Sequence, residues 1–205
     1  MTKPSNKALE ALLSSNNPKE IEKAFVLMSQ NNIDSGNFKG LMSSNFVLCL
    51  KYGFSSIFKG ISELNLFTSG IRELPEEIGE LTELKILILR GNYLSTLPKS
   101  IGKLSKLEEL NLINNNMSHL PDEITELKNL KKLDLTINKL EKLPDNIGRL
   151  LNLEYLDLDD NNISFIPSSI QNIKNMKELL LEGNPISETH KKEIQEFLPH
   201  TDVLF

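Results

Sequence analysis

A 23-residue periodicity is the feature that most constrains how this chain can fold. Starting at Ile61, an apolar residue recurs every 23 positions without insertion, at Leu84, Leu107, Leu130, Leu153 and Met176. Counted from each of these positions, apolar residues recur at +3, +5 and +10. In the first five units they recur also at +13, +17 and +20, and proline recurs at +14, as at Pro75. Chance does not produce such copies, so the repeat determines the architecture before any secondary structure is considered.

Each unit predicts one short strand. Leu64 and Leu66 alternate with Glu63, Asn65 and Phe67, which is the period of two expected for a strand with one buried face. Strands that recur every 23 residues, with crossovers of one hand, stack as a parallel sheet. Proline at +14 removes a backbone donor and fixes φ, so the opposite wall of each coil is predicted to hold extended segments and short helical turns.

The +8 position predicts a structural asparagine ladder. Five units carry asparagine there, namely Asn92, Asn115, Asn138, Asn161 and Asn184. An inward amide satisfies turn backbone groups that would cost about 1–3 kcal/mol each if they were buried without partners. Ser69 takes this position in the first unit, which predicts an atypical first coil, as at the end of a repeat array.

The repeat LxxLxLxxNxLxxLPxxIxxL resembles the 23-residue class of leucine-rich repeats, found in Ras-suppressor-like and Scribble-like proteins and in many bacterial proteins. The resemblance runs from Ile61 to about Ser187. It implies an α/β fold, a solenoid or horseshoe with a parallel sheet on its concave side. It specifies the fold far more than the function, because this scaffold serves unrelated binding tasks.

Residues 1–60 lack the repeat and predict a helical amino-terminal cap, although this segment could also be a recognition element. Asn17, Pro18 and Glu20 form the start signal of a helix from Pro18 to about Gln30, and a shorter helix around Lys7 to Ser14 precedes it. The apolar residues between Leu41 and Leu50 also fit a helical face, but the run from Phe46 to Leu50 could form a strand.

Residues 187–205 predict a carboxyl-terminal cap. Ser187 is the expected N-cap of a helix from about Glu188 to Leu198, which Pro199 ends. Its apolar face is assigned to Ile194, Phe197, Leu198, Val203, Leu204 and Phe205. The alternative for the last three residues is a peptide ligand for another domain. The solenoid between the caps, residues 61–186, then holds five full repeats and a partial sixth.

Composition narrows the possible functions. The chain carries a formal net charge of −5, which argues against general binding to nucleic acid or anionic membranes, because these need clustered Lys and Arg. A single cysteine, Cys49, cannot form an internal disulfide. No apolar run follows a basic start or is long enough to span a bilayer. We therefore expect a cytoplasmic protein with a free thiol, with secretion lacking a cleaved signal as the alternative.

The sequence predicts no catalytic residues, no metal site and no cofactor. Its histidines are scattered and are not predicted to pair with a serine or cysteine nucleophile; they are His119, His190 and His200. No glycine motif for phosphate binding occurs. Residues 157–161 begin like a calcium loop, but Asn162 stands where glycine is required and Ser168 where glutamate is required.

The candidate binding surface is the open side of the predicted sheet, where the side chains at +2, +4, +6 and +7 point. Toward the amino end, an apolar group surrounds Arg90; it consists of Phe67, Ile86, Ile88 and Ile113. Toward the carboxyl end, acids cluster with Tyr155 and Leu180; they are Asp134, Asp157, Asp159, Asp160, Glu178 and Glu182. These positions carry eight acids and two bases, so their net charge of −6 accounts for the acidity of the whole chain.

Exposed apolar residues in a group commonly mark an interaction site. The sequence therefore predicts a non-catalytic protein–protein interaction module, such as a signalling scaffold, whose protein or peptide partner brings an apolar segment and basic groups. Nucleic acid and membrane are not expected partners. The alternatives are a translocated or surface effector that uses the same face on foreign proteins, a homodimer formed through the apolar group, a face that serves solubility alone, an enzyme, and, by analogy of repeat class, a regulator in a small-GTPase pathway.

Overall fold

The computed structural model describes residues 4–15, 17–33 and 45–205. Contacts within the chain divide it into two units, Met1–Lys59 and Gly60–Phe205.

The elements described in the first unit are all helical. Helices α1 (Asn6–Leu13), α2 (Pro18–Gln30) and α3 (Phe46–Lys51) are followed by a 3₁₀ turn at Ser55–Phe58. Helix α2 has the predicted bounds, and the Asn17 side chain accepts the Lys19 N–H at 3.1 Å as its N-cap. The helical alternative for Phe46–Leu50 is confirmed over the strand. Leu41 and Met42 lie outside the described residues. The core holds Leu9, Phe25, Met28, Cys49 and Leu50, all with no exposed surface.

The second unit is a parallel solenoid, as predicted. Within residues 60–205, all of which are described, seven strands lie side by side in chain order and all pairs are parallel. They are β1 (Glu63–Asn65), β2 (Ile86–Ile88), β3 (Glu109–Asn111), β4 (Lys132–Asp134), β5 (Tyr155–Asp157), β6 (Glu178–Leu180) and β7 (Asp202–Leu204). From β1 to β6 each residue pairs with the residue 23 positions later, as Leu64 does with Leu87. The sequence period is therefore also the register of the sheet.

Short 3₁₀ helices form the wall opposite the strands. They span Glu76–Glu80, Lys99–Lys103, Asp122–Glu126, Ile147–Arg149 and Ser168–Asn172, and each follows the +14 proline of its unit. Glycine at +18 lets successive turns approach closely. A Cβ atom at Gly79 would lie 2.7 Å from the Ser100 carbonyl oxygen, and one at Gly102 would lie 2.7 Å from that of Glu123.

The carboxyl-terminal segment differs in part from the prediction. Helix α4 (Glu188–Phe197) begins as expected, because the Ser187 side chain accepts the His190 N–H at 3.2 Å. The assignment of Leu204 to the apolar face of this helix is wrong. Asp202–Leu204 is strand β7, in which the Asp202 N–H donates to the Lys177 carbonyl at 2.8 Å, and Leu204 is 46% exposed. A parallel partner for the backbone of β6 outweighs burial of this side chain.

Candidate functional site

The asparagines at +8 fix the turns from which the outward side chains project. Asn115 accepts the Leu94 N–H at 3.0 Å through Oδ1, and its Nδ2 donates to the carbonyls of Leu89 and Leu112, both at 3.0 Å. Each of these amides therefore joins two successive coils. The same three contacts recur at the other members of the column, Asn92, Asn138, Asn161 and Asn184.

We call the outward residues at +2, +4, +6 and +7 of the first six units, on and just beyond β1–β6, the strand face. Its apolar half lies on and just beyond β1–β3. Phe67 is 54% exposed, with the Arg90 guanidinium 5.8 Å from its ring centroid. Ile86 and Ile88 are the two outward residues of β2 and are half-buried, as is Ile113. These residues thus present apolar surface to solvent on neighbouring coils.

The +4 column of the strand face has a local structural role that the sequence analysis missed. Side-chain oxygens of Asn65, Asn111, Asp134 and Asp157 each accept the backbone N–H two residues later, at 3.0–3.2 Å. Asx turns of this kind are recognisable from Asn or Asp at the end of a strand. The two other residues of the column are Ile88 and Leu180, whose side chains cannot accept such a bond.

The acidic half begins with two adjacent carboxylates on β4 and β5, Asp134 and Asp157. Asp157 is only 8% exposed; its Oδ1 accepts the Asp159 N–H at 3.1 Å and its Oδ2 accepts the Tyr155 hydroxyl at 2.7 Å. Burial raises the pKa of Asp134, and the Asp157 charge adds to this effect, while bonds from Thr136 and the Arg90 charge oppose it. Burial, reinforced by the bond to Asp157, also raises the pKa of Tyr155.

Three of the six acids in this half are thus engaged in the fold. Besides Asp134 and Asp157, Asp159 accepts the Glu182 N–H at 2.7 Å, and burial together with the Asp157 charge raises its pKa. The accessible carboxylates are those of Asp160, Glu178 and Glu182, which are exposed. Within the described chain none of these three forms an ion pair. The half-buried Leu180 lies on β6 beside them.

The boundary between the halves is a shallow depression. It is lined by Glu109, Asn111, Lys132, Asp134 and Tyr155, which come from three successive strands. Charged and polar side chains and the Tyr155 ring therefore line a concave part of the strand face.

A row of alternating charges runs beside the strand face at +1. It consists of Lys85, Glu108, Lys131, Glu154 and Lys177, with a Lys131–Glu108 contact of 2.7 Å and an ion pair between Lys177 and Glu154. Exposed pairs of this kind contribute little to stability, typically below about 1 kcal/mol. With three lysines and two glutamates the row has a net charge of +1, so it offsets little of the negative charge of the strand face.

The +7 column is a left-handed turn in every unit. Its φ angles are positive throughout, and its residues are Thr68, Gly91, Asn114, Ile137, Asp160 and Gly183. Glycine, asparagine and aspartate tolerate this conformation, so the column contained the signal for the turn. The β-branched residues Thr68 and Ile137 are the exceptions; Ile137 has a φ of 56° and its side chain is 48% exposed. Strain of this kind costs about 1–3 kcal/mol.

Two histidines have polar contacts. His190 is buried and accepts the Ile166 N–H at 2.8 Å through Nε2, which ties α4 to the preceding repeat, while its Nδ1 lies 2.7 Å from the Glu193 carboxylate of the same helix. Against expectation, Ser118 Oγ lies 3.0 Å from Nδ1 of the adjacent His119. Both side chains are exposed, unlike the water-excluded sites in which serine acts as a nucleophile.

Other reactive groups are occupied or isolated. Burial raises the pKa of the Cys49 thiol to about 12, so it is protonated at neutral pH. No group of three or more His, Cys, Asp or Glu side chains in the described residues is arranged to hold a metal ion. Nor does any helix in those residues have the length and apolarity needed to cross a membrane.

Comparison with known proteins agrees with this geometry. A family model described as a leucine-rich repeat region matches residues 102–199, and a second, described as a leucine rich repeat, matches residues 83–104. No curated protein sequence matches the chain.

Solved structures are also similar. A leucine-rich repeat protein of Leptospira interrogans is 39% identical over 78% of this chain, with a TM-score of 0.71, and the chain spans 39% of that protein. The ectodomain of the Arabidopsis thaliana receptor kinase GASSHO1/SCHENGEN3, solved in complex with Casparian strip integrity factor 2, is 35% identical over 64% of this chain and 16% of its own, with a TM-score of 0.59. The plant peptide hormone receptor RGFR1, in complex with RGF2, is 30% identical over 60% of this chain and 21% of its own, with a TM-score of 0.53. Repeat, fold and relatives agree, and the chain belongs to the leucine-rich repeat family.

Proposed function

We propose that this chain is a non-catalytic protein-interaction module that binds an extended segment of a partner protein across the strand face. Apolar side chains of the partner contact Phe67, Ile86, Ile88 and Ile113. Lysine or arginine side chains that follow in the segment lie against the accessible acids of the fifth and sixth units, namely Asp160, Glu178 and Glu182.

The observation that carries this proposal is the pair of isoleucines on β2. Ile86 stands between Glu63 and Glu109 of the neighbouring strands, and Ile88 stands between Asn65 and Asn111. The fold thus accepts polar residues at both positions, and neither isoleucine is needed to fill the core. Because both are already half-buried, covering their remaining surface on binding contributes roughly up to 1 kcal/mol each.

Size and charge support an extended segment. Six strands at about 4.8 Å span roughly 24 Å, which accommodates about seven extended residues. Three accessible acids lie at one end of this span against one exposed glutamate, Glu63, at the other, so a segment with basic residues at the matching end is favoured in one direction. Two of the similar structures, the GASSHO1/SCHENGEN3 ectodomain and RGFR1, were solved as complexes with Casparian strip integrity factor 2 and RGF2.

The experiment uses a phage library of random peptides of about 12 residues, longer than the face accommodates. The library is selected against the full chain, and the most enriched peptide is synthesised with a fluorescent label. We expect enriched peptides to combine apolar residues with Lys or Arg. Fluorescence anisotropy then gives its Kd for the wild type and for the double variant Ile86→Lys, Ile88→Asn.

The double variant is designed to preserve the fold. Asparagine at 88 reproduces the side chain found on β1 and β3, and lysine at 86 lies between two glutamates. We expect the Kd to rise at least about tenfold with an unchanged thermal midpoint. Unchanged affinity in the double variant, or no enriched peptide, would contradict the proposed function.

A further inference from the structure

We propose that Ile137 is the central anchor of this interface, the residue against which an apolar side chain of the partner packs. This inference rests on the proposed function and adds a residue that the sequence pattern does not single out. The observation behind it is the combination of exposure and backbone strain at one position.

Full burial of the side chain does not offset the strain at Ile137. The side chain is 48% exposed, so it does not fill the core. Its left-handed backbone is held by the ladder, in which the Ile137 N–H donates to Asp159 O at 3.0 Å and the Asn115 N–H donates to Ile137 O at 3.3 Å. A β-branched residue in this conformation is a genuine outlier, and such strain concentrates at ligand-binding positions.

The rest of the +7 column shows what the fold itself prefers. The neighbours of Ile137 in the column are Asn114 and Asp160, and two further units have glycine. Thr68 is also β-branched, but its methyl group lies over Gly91, where a Cβ atom would be 2.8 Å away. Thr68 thus has a packing partner inside the repeat.

The position of Ile137 fits an anchor. The backbone contacts of Asn114 with Thr136 and of Ile137 with Asp159 place it one coil beyond Ile113 and one coil before the Asp159–Asp160 turn. It therefore stands where the apolar half gives way to the acidic half. Residues that dominate binding energy cluster near the centre of an interface. Single exposed apolar residues are ordinary on protein surfaces, but they rarely adopt a strained backbone.

Three variants of the full chain test this inference, with the selected peptide as the probe. Ile137→Asn removes the apolar group and relieves the strain. Ile137→Leu keeps an apolar group of the same size without the β-branch. Leu151→Asn is the matched control, because Leu151 is 56% exposed and lies outside the strand face. Each variant is measured for peptide Kd by anisotropy and for its thermal midpoint.

We expect Ile137→Asn to raise the midpoint by roughly 2–5 °C and to raise the Kd by about tenfold or more. We expect Ile137→Leu to keep the Kd within about threefold and Leu151→Asn to leave it unchanged. A stabilised Ile137→Asn variant with wild-type affinity would overturn the anchor role, and so would a variant that loses affinity together with stability. If Ile137→Asn keeps the wild-type affinity, the double variant Ile86→Lys, Ile88→Asn separates the two proposals. A raised Kd in that double variant supports the proposed function even though the anchor role of Ile137 is lost.

Discussion

The two halves of the strand face are built on the same backbone but use their side chains differently. In the acidic half, Asp134, Asp157 and Asp159 accept backbone N–H groups, so a residue type that suggests binding also holds the loops together. In the apolar half, Ile86 and Ile88 stand at positions where adjacent strands have polar residues. The comparison teaches that charge alone is a poor guide to a binding surface in a repeat protein. Residues that depart from their column without serving the fold are more informative.

The largest effect that separates the halves is expected for Asp157→Ala. This change removes the acceptor for both the Asp159 N–H and the Tyr155 hydroxyl, so it should lower the free energy of unfolding by about 1–3 kcal/mol. Ile88→Asn should change it by less than about 0.5 kcal/mol. Urea unfolding followed by circular dichroism measures both. Asp157→Asn serves as the control, since an amide oxygen keeps the acceptor for the Asp159 N–H. Equal losses for Asp157→Ala and Ile88→Asn would remove the distinction between the halves.

A smaller effect is expected for the accessible acids. The double variant Glu178→Gln, Glu182→Gln should bind the selected basic peptide several-fold more slowly at about 50 mM salt and should differ little from wild type at about 300 mM, because salt screens exposed charges. Its thermal midpoint should be unchanged. Stopped-flow anisotropy gives the association rates. The control, Glu141→Gln with Glu196→Gln, makes the same charge change away from the strand face and should associate at the wild-type rate. A slowing that persists at high salt would show that these glutamates do not act by charge.

The smallest effect concerns Asp134→Asn. The pKa of Asp134 is raised in the folded state, which means that its ionised form disfavours folding. A neutral amide at this position should therefore stabilise the second unit at pH 7 by up to about 1 kcal/mol. Asn111 shows that an amide makes the same turn on the next strand. The gain should disappear as the pH falls below about 4, where aspartate is protonated in both states. Urea unfolding from pH 7 to pH 3.5 measures it, and a gain that persists at the acid end would mean that the charge of Asp134 is not its cause.

Much of the fold was predictable because a repeat states the same constraint several times. The Leu64 and Leu66 pattern predicted the strands, their parallel order and their inward leucines, and Ser187 predicted the start of α4. Strand β7 was not predictable, because Asp202–Leu204 has no repeat signature and forms only where β6 offers its backbone. The glycines at +18 were visible as a column, but the contacts that explain them lie between coils. The Asx turns at +4 lie within one coil and were recognisable from Asn or Asp at the end of a strand.

The sequence by itself determined the 23-residue coil, its parallel sheet and the set of side chains that point outward. It did so because burial of the leucines at +3 and +5 fixes which face of each strand is inward. Only the tertiary structure decided which outward residues are available. The Asp157 side chain is covered by its own loop and by Tyr155, whereas those of Asp160 and Glu182 are exposed. Ile137 is both strained and exposed. These properties depend on how one coil packs against the next, and the 23-residue spacing of the sequence does not specify that packing.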